Sequence, residues 1–303
     1  MRLCRFRDRR SGSTHVGIVE ADGIRDATQA LDDLPTYRYP LPPLDPFIAA
    51  LPIISERLRK IASDVPSRPL ASVDLLSPIG NPGKIIAAPV NYQDHLDEAR
   101  ADAQIHHQNR IAEIERAGLF LKATSSLAGA GEGVRIRHPE RRNDHEIELV
   151  AVIGRKVSRV ERADALSCVA GYCIGLDMTT RGPEERSLRK SIDTYAVLGP
   201  WLVTADELTD PSNLELALTV NGEPRQRANT RDLIVDVAGL IAFASSFYTL
   251  WPGDVLFTGT PAGVGPVQPG DIIRASIDSV GSMEVAVLNE SLDDVRQGRS
   301  VRA

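Results

Sequence analysis

Cysteine is scarce in this chain: three among 303 residues. Cys4, Cys168 and Cys173 have neither zinc-ligand spacing nor the even count of a disulfide framework. Reduced, partly buried thiols in a cytoplasmic protein are expected. No apolar stretch approaches the roughly 20 residues of a membrane span. The basic start Met1–Arg7 lacks the apolar core of a signal peptide. Net charge is −6 and no basic run stands out, which argues against a nucleic-acid partner. The motifs His-Glu-x-x-His, Gly-x-Ser-x-Gly and Gly-x-Gly-x-x-Gly do not occur, nor does a P-loop. There is no repeat and no low-complexity tract.

What is present reads mostly as strands. Residues 1–34 suggest short strands and turns, and a connector with five prolines follows over 35–46. A helix is expected over Phe47–Ala62, with Pro52 as a candidate for its true start. A soft boundary near residue 75 divides a small N-terminal domain (1–75) from a larger one (76–303). Within the latter, Lys84–Ala88, Leu119–Lys122, Asn143–Ile153 and Val169–Asp177 read as strands. So do 214–220 and 223–227, joined by the hairpin signal Asn221-Gly222, and three further strands near 254–257, 272–277 and 283–288. A polar helix from His95 to about Ala117 has only a thin apolar stripe, which suits a surface flap. Val235–Tyr248 reads as an amphipathic helix. Many strands with few helices point to a β-rich α+β fold.

Five stretches could carry chemistry. On a strand, Asp144, Glu146 and Glu148 share one face. They are either hard oxygen ligands for Mg²⁺, Mn²⁺ or Ca²⁺, or an acidic edge open to water. Asp177 closes an apolar strand, with Arg181 four residues on; it is a third metal ligand or a turn cap. His95 and Glu98 lie three apart at a helix start, as either an oriented general base or a surface pair. Ser187 and Lys190 match Ser-x-x-Lys only weakly, so Lys190 is better read as an electrostatic stabiliser. The turn Thr258–Gly265 offers amides and the Thr260 hydroxyl, either for a substrate carboxylate or as a plain loop. His106 and His107 are expected to be solvated.

In order along the chain, these stretches resemble the fumarylacetoacetate hydrolase superfamily, in its branch of acylpyruvate hydrolases and 2-hydroxyhepta-2,4-diene-1,7-dioate isomerases. The match runs from about residue 80 to 290. It rests on Asn91-Tyr92-x-x-His95-x-x-Glu98, Asp144-x-Glu146-x-Glu148-Leu149, Asp177-x-x-x-Arg181, Arg189-Lys190-Ser191-x-Asp193-Thr194, Leu198–Trp201, Val220–Glu223, Pro252–Val255 and Thr258–Gly265. The resemblance implies curved mixed sheets, a homodimer, and Mg²⁺ or Mn²⁺ on Glu146, Glu148 and Asp177, with Ca²⁺ able to substitute. It implies a water-activating dyad of His95 and Glu98, with Lys190 facing the substrate. Arg181, Gln226, Thr260 and Tyr92 fall near the substrate, and about 96–118 corresponds to a lid. That segment is longer here than in many members, and the link from Arg181 to Lys190 is shorter. The implied reaction is metal-dependent C–C hydrolysis of an acylpyruvate or other 2,4-dioxo acid to a 2-oxo acid and a carboxylic acid. Decarboxylation, or isomerisation or hydration of a dienoate, uses the same enolate and is the alternative; a non-catalytic ligand-binding protein is a third.

Overall fold

The computed structural model describes residues 1–107 and 111–290. Among them the chain forms a mixed sheet of eleven strands, an antiparallel one of three and a mixed one of five. The large sheet runs, from one edge, through the strands Gly23–Asp26, Thr14–Glu20, Arg2–Asp8, Ala196–Thr204, Val169–Asp177, Ile147–Ile153, Val255–Phe257, Ile85–Ala87 and Phe120–Lys122. The first strand pairs with Ala196–Thr204, so the N-terminal segment and the rest of the chain share one sheet.

The central strand Ile147–Ile153 is buried along its whole length. Alternation sends Ile147, Leu149, Ala151 and Ile153 into one core and Val150 and Val152 into the other. Its neighbour divides in the same way, with Tyr172, Ile174 and Leu176 on one side and Cys173 on the other. By this alternation Glu148 and Asp177 share a face. Glu148 pairs with Gly175 across the ladder, where a Cβ would run into the Phe257 ring and Val150.

Helices cover the edges of this frame. Helix α1 spans Pro46–Asp64 and runs unbroken through Pro52. Its start is set instead by Pro46 in the first turn and by Asp45, whose side chain caps the Ile48 amide. The other Asp45 oxygen takes the amides of Gly80 and Asn81, which ties the helix start to a distant loop. The expected polar helix is three short ones: α2 (Gln93–Ala101), α3 (Ala103–His106) and α4 (Ile114–Ala117). Asp102 interrupts it in an extended conformation and caps α3 through the Gln104 amide, as a short side chain that competes with helical bonding does. Residues 108–110 of the lid segment lie outside the described residues. His106 and His107 are half-buried rather than solvated. Helix α5 is Arg186–Lys190, and α6, Val237–Phe247, buries Val237, Leu240, Ile241 and Ala244 at helical spacing.

The hairpin of the five-stranded sheet forms as read, with Asn221 and Gly222 both at positive φ. The carboxylate stretch differs from its reading. Pairing breaks at Glu146: Asn143–His145 belongs to the three-stranded sheet and Ile147–Ile153 to the large one. Asp144 therefore sits on a separate element and is not part of one continuous acidic face.

Candidate active site

Two sheets and three helices converge on one small cavity. Ala88, Pro89 and Val90 form its floor, and His95 from α2 enters from one side. Glu146 and Glu148 enter from the strand junction, and Arg181, Arg186, Arg189 and Lys190 from the segment around α5. Ile105 and Ile111, on the expected lid, cover it with apolar surface. Val90 holds φ at 40°, a conformation a β-branched residue adopts only when its surroundings force it. The next residue, Asn91, is fully buried, and its side chain bonds Thr258 and Val235.

The carboxylates of Glu146, Glu148 and Asp177 each present an oxygen within 4.8 Å of the others, and all three residues are buried. Asp177 is fixed to Glu146 through its own amide, which donates to the Glu146 carbonyl at 2.9 Å. The Lys190 ammonium bonds Glu146 Oε2 and Asp177 Oδ2, both at 2.7 Å. A second ammonium, that of the buried Lys122, bonds the other Asp177 oxygen and the Tyr195 carbonyl. Arg181 bridges Asp144 Oδ2 at 2.7 Å and Glu146 Oε1 at 3.0 Å. Arg142 holds the remaining Asp144 oxygen at 2.8 Å and reaches Asp102 at 2.9 Å, which links the site to the break between α2 and α3.

Burial disfavours charge on every group here. At Glu146 it is outweighed by the Lys190 ammonium and the Arg181 guanidinium, which hold the carboxyl below its ordinary value. At Glu148 burial wins, with Asp177 and Glu146 adding to it against Lys190 and the Gly259 amide, and the carboxyl is pushed up. Burial also lowers Lys122, against the pull of Asp177. Three buried carboxylate donors, one of them short of positive charge, fit a hard divalent cation such as Mg²⁺ or Mn²⁺.

The His95–Glu98 pair forms, with Nδ1 to Oε2 at 2.8 Å. The Glu98 Oε1 accepts the Gly263 amide at 3.0 Å, so both carboxylate oxygens are anchored. The glycine-rich turn is organised around the protein's own acids: its Gly259 amide donates to Glu148 at 2.5 Å and its Gly263 amide to Glu98. These two amides are therefore not free for a substrate carboxylate, as the turn had suggested. Gly259 (φ +100°) and Gly263 (φ +94°) approach Asn91 and the Arg225 carbonyl too closely for any Cβ.

The other expected substrate contacts divide. Thr260 lines the cavity, and its oxygen accepts from Gln226 Nε2 at 2.7 Å. Gln226 is 2% exposed. Its amide bonds Thr260, the Pro261 carbonyl, His145 and the Ile147 amide, so it braces the wall that Thr260 lines. Tyr92 is buried as the residue preceding α2, in a bridge to Leu233, and does not line the cavity. Lys190 reaches Glu146 and Asp177 and not Ser187, which removes the Ser-x-x-Lys reading. Lys122 escaped notice because Phe120-Leu121-Lys122 looks like an apolar strand with a polar end. The strand instead turns Leu121 outward and Lys122 inward.

A family model for the C-terminal domain of fumarylacetoacetate hydrolase matches residues 84–288. The chain belongs to the fumarylacetoacetate hydrolase family. Among curated relatives in this family, the maleylpyruvate hydrolase of Aquipseudomonas alcaligenes is 55% identical over 95% of this chain and 99% of its own. The 2,4-didehydro-3-deoxy-L-rhamnonate hydrolase of a Sphingomonas strain is 34% identical over 95% and 96%. The crystal structure of maleylpyruvate hydrolase from Sphingobium sp. SYK-6, in complex with manganese(II) and pyruvate, superposes with a TM-score of 0.79 at 39% identity, over 96% of this chain and all of that one. For a fumarylacetoacetate hydrolase family fold, the described sheets and their few helices are as expected.

Proposed function

We propose that this protein is a divalent-metal-dependent acylpyruvate hydrolase. It cleaves the C–C bond of a 2,4-dioxo acid to pyruvate, or another 2-oxo acid, and a carboxylic acid. The observation that carries the reading is one cavity lined by His95, which Glu98 orients, and by Glu146 and Glu148 of a buried three-carboxylate cluster. The similarity to maleylpyruvate hydrolases over nearly the whole chain supports it.

A Mg²⁺ or Mn²⁺ ion on Glu146, Glu148 and Asp177 supplies Lewis-acid stabilisation of the negative charge that develops as carbon leaves. The chain's own groups do the rest. Glu98, fixed by the Gly263 amide, accepts from His95 Nδ1 and leaves Nε2 as the base that takes a proton from water. The oxygen of that water attacks the carbonyl distal to the 2-oxo acid head. As the adduct collapses the C–C bond breaks, and its electron pair leaves with the 2-oxo acid as an enolate. The proton held on His95 then passes to the enolate carbon. Lys190 has three N–H donors; two serve Glu146 and Asp177, and the third meets the oxyanion. Thr260, its oxygen occupied by Gln226, directs its hydroxyl hydrogen to the substrate carboxylate. Arg181 holds Glu146 and Asp144 and adds positive charge to the wall. The segment 96–118 serves as the lid, and residues 1–75 as a supporting unit. The protein is further read as a cytoplasmic homodimer. Three free, buried cysteines suit a reducing compartment, and exposed apolar side chains such as Leu188 and Phe247 offer contact surface. Among the described residues no helix is long and apolar enough to cross a membrane.

The test is a panel of 2-oxo and 2,4-dioxo acids with product identification, with and without Mn²⁺ or Mg²⁺. Two carboxylic products, formed only with metal, are expected. Carbon dioxide or a single isomeric product would replace hydrolysis with decarboxylation or tautomerisation. His95→Ala should abolish turnover with metal still bound, and Glu148→Ala should lose both.

A further inference from the structure

Gln226, behind Thr260, has partners at both ends of its amide. Its Oε1 faces two nitrogens, the Ile147 amide and His145 Nδ1, each at 3.1 Å. Its Nε2 donates to Thr260 Oγ1 at 2.7 Å and to the Pro261 carbonyl at 2.8 Å. The two backbone groups fix which end is which. Turned over, the side chain would set its N–H against the Ile147 N–H and its oxygen against the Pro261 carbonyl.

His145 bears the mark of the same arrangement. Gln226 Oε1 only accepts, so in a neutral imidazole the hydrogen sits on Nδ1 and Nε2 is a bare acceptor. Among the described residues that buried Nε2 has no hydrogen-bond partner. A buried polar atom left in this way is destabilising. The fold tolerates it while keeping Nδ1 on Gln226.

The effect falls on Thr260. A hydroxyl has one hydrogen to give. Because Gln226 donates to Oγ1, that hydrogen is turned away from Gln226, and no group among the described residues accepts it. Thr260 lines the cavity with His95, Glu146, Glu148 and Lys190, so the hydrogen is left for what binds there. A carboxylate only accepts and meets that donor. A neutral amide in its place presents N–H groups that do not.

We propose that Gln226 is a positioning residue that keeps the Thr260 hydroxyl a hydrogen donor toward the cavity, and so selects an anionic head over a neutral one of the same shape. This rests on the acylpyruvate hydrolase reading above, in which Thr260 meets the substrate carboxylate.

The test reads binding without turnover. Pyruvate and pyruvamide are titrated calorimetrically into the Mn²⁺-loaded protein, and the ratio of their affinities is the readout. Gln226→Glu keeps the side-chain shape but draws the Thr260 hydrogen back toward itself, so the ratio should fall about 10- to 100-fold. Gln226→Met removes every hydrogen bond of the amide yet leaves the hydroxyl hydrogen free, so the ratio should change by less than about threefold. A role in packing alone predicts the opposite order, with Met the worse, and that order overturns the inference. So does one ratio shared by all three proteins. Thr260→Val separates the hydroxyl from a direct effect of the new charge on pyruvate. In that background the Gln226→Glu change should shrink to less than about threefold, and a change of undiminished size overturns the inference. Thr260→Val alone should lower the ratio about 10-fold, while Thr260→Ser keeps it. An unchanged ratio in Thr260→Val overturns the inference even where Gln226→Glu does not fold. The expected ratios without hydrolysis of any acylpyruvate keep the positioning role and overturn the hydrolase reading. Hydrolysis with a ratio indifferent to Gln226 does the reverse.

Discussion

The Gly263 amide donates to Glu98 across 165 positions of chain, at 3.0 Å. The bond joins the turn after the strand Val255–Phe257 to the helix that carries His95, and it decides where the proposed base points. A carboxylate tethered at only one oxygen could rotate, and the imidazole would rotate with it.

Gly263→Ala tests that tether. A Cβ at this position would lie 2.0 Å from the Arg225 carbonyl oxygen, and φ of +94° disfavours any other residue. The turn has to shift, and Glu98 loses its second anchor. We expect kcat to fall about 10- to 100-fold, as a misplacement near 1 Å does, while Mn²⁺ affinity by titration stays close to that of the parent. An unchanged kcat in a folded variant would show that the amide does not position the dyad.

Lys122→Met tests the second ammonium. Removing one partner of a buried ion pair costs about 3–5 kcal/mol, because the remaining charge stays buried. One Asp177 oxygen loses its donor while the other keeps Lys190, and the Tyr195 carbonyl keeps only the Met178 amide. The metal-free variant should melt well below the parent. A bound cation supplies positive charge where the lysine did, so the gain in Tm on adding Mn²⁺ should be larger in the variant. A smaller gain would mean that Lys122 orients the ligands more than it balances their charge.

The cysteines give a pH-dependent readout. Burial pushes the Cys4 thiol up to about 12, against the Gly17 backbone hydrogen bond, and burial raises Cys173 as well. Because the thiolate is the reactive form, the native protein should label slowly with a disulfide reagent at pH about 8, and all three thiols should label once it is unfolded. The sign for stability follows. The unfolded chain releases these protons first, from about 8.5 upward, so this contribution is whole below that pH and is lost as pH rises toward about 12. Rapid labelling of the native protein would contradict the burial.

Local pattern made much of this legible. Apolar runs marked the strands, and Asn221-Gly222 marked its hairpin. The 144–148 spacing and the order of motifs located Glu146, Glu148, Asp177, His95, Glu98 and Lys190 together. The misreadings share a cause. Pro52 and the single polar helix were judged from local propensity, which neither the packing of α1 nor the turn at Asp102 obeys. What the resemblance could not give for Gln226 and Tyr92 is their packing, Gln226 behind Thr260 and Tyr92 against Leu233, which depends on neighbours far away in sequence.

The sequence by itself determined the chemistry available: hard oxygen ligands, an imidazole with a carboxylate one helical turn away, and a glycine turn able to approach them. Spacing along a chain carries that information because side-chain direction repeats with the backbone. Only the tertiary structure decided how that chemistry is held. It set Lys122 inward, turned the amides of Gly259 and Gly263 onto Glu148 and Glu98, split Asp144 from the acidic strand, and left Arg186 and Arg189 facing the cavity. Each of those outcomes is a long-range pairing of charge or hydrogen bond, made where burial leaves no water to stand in for the partner.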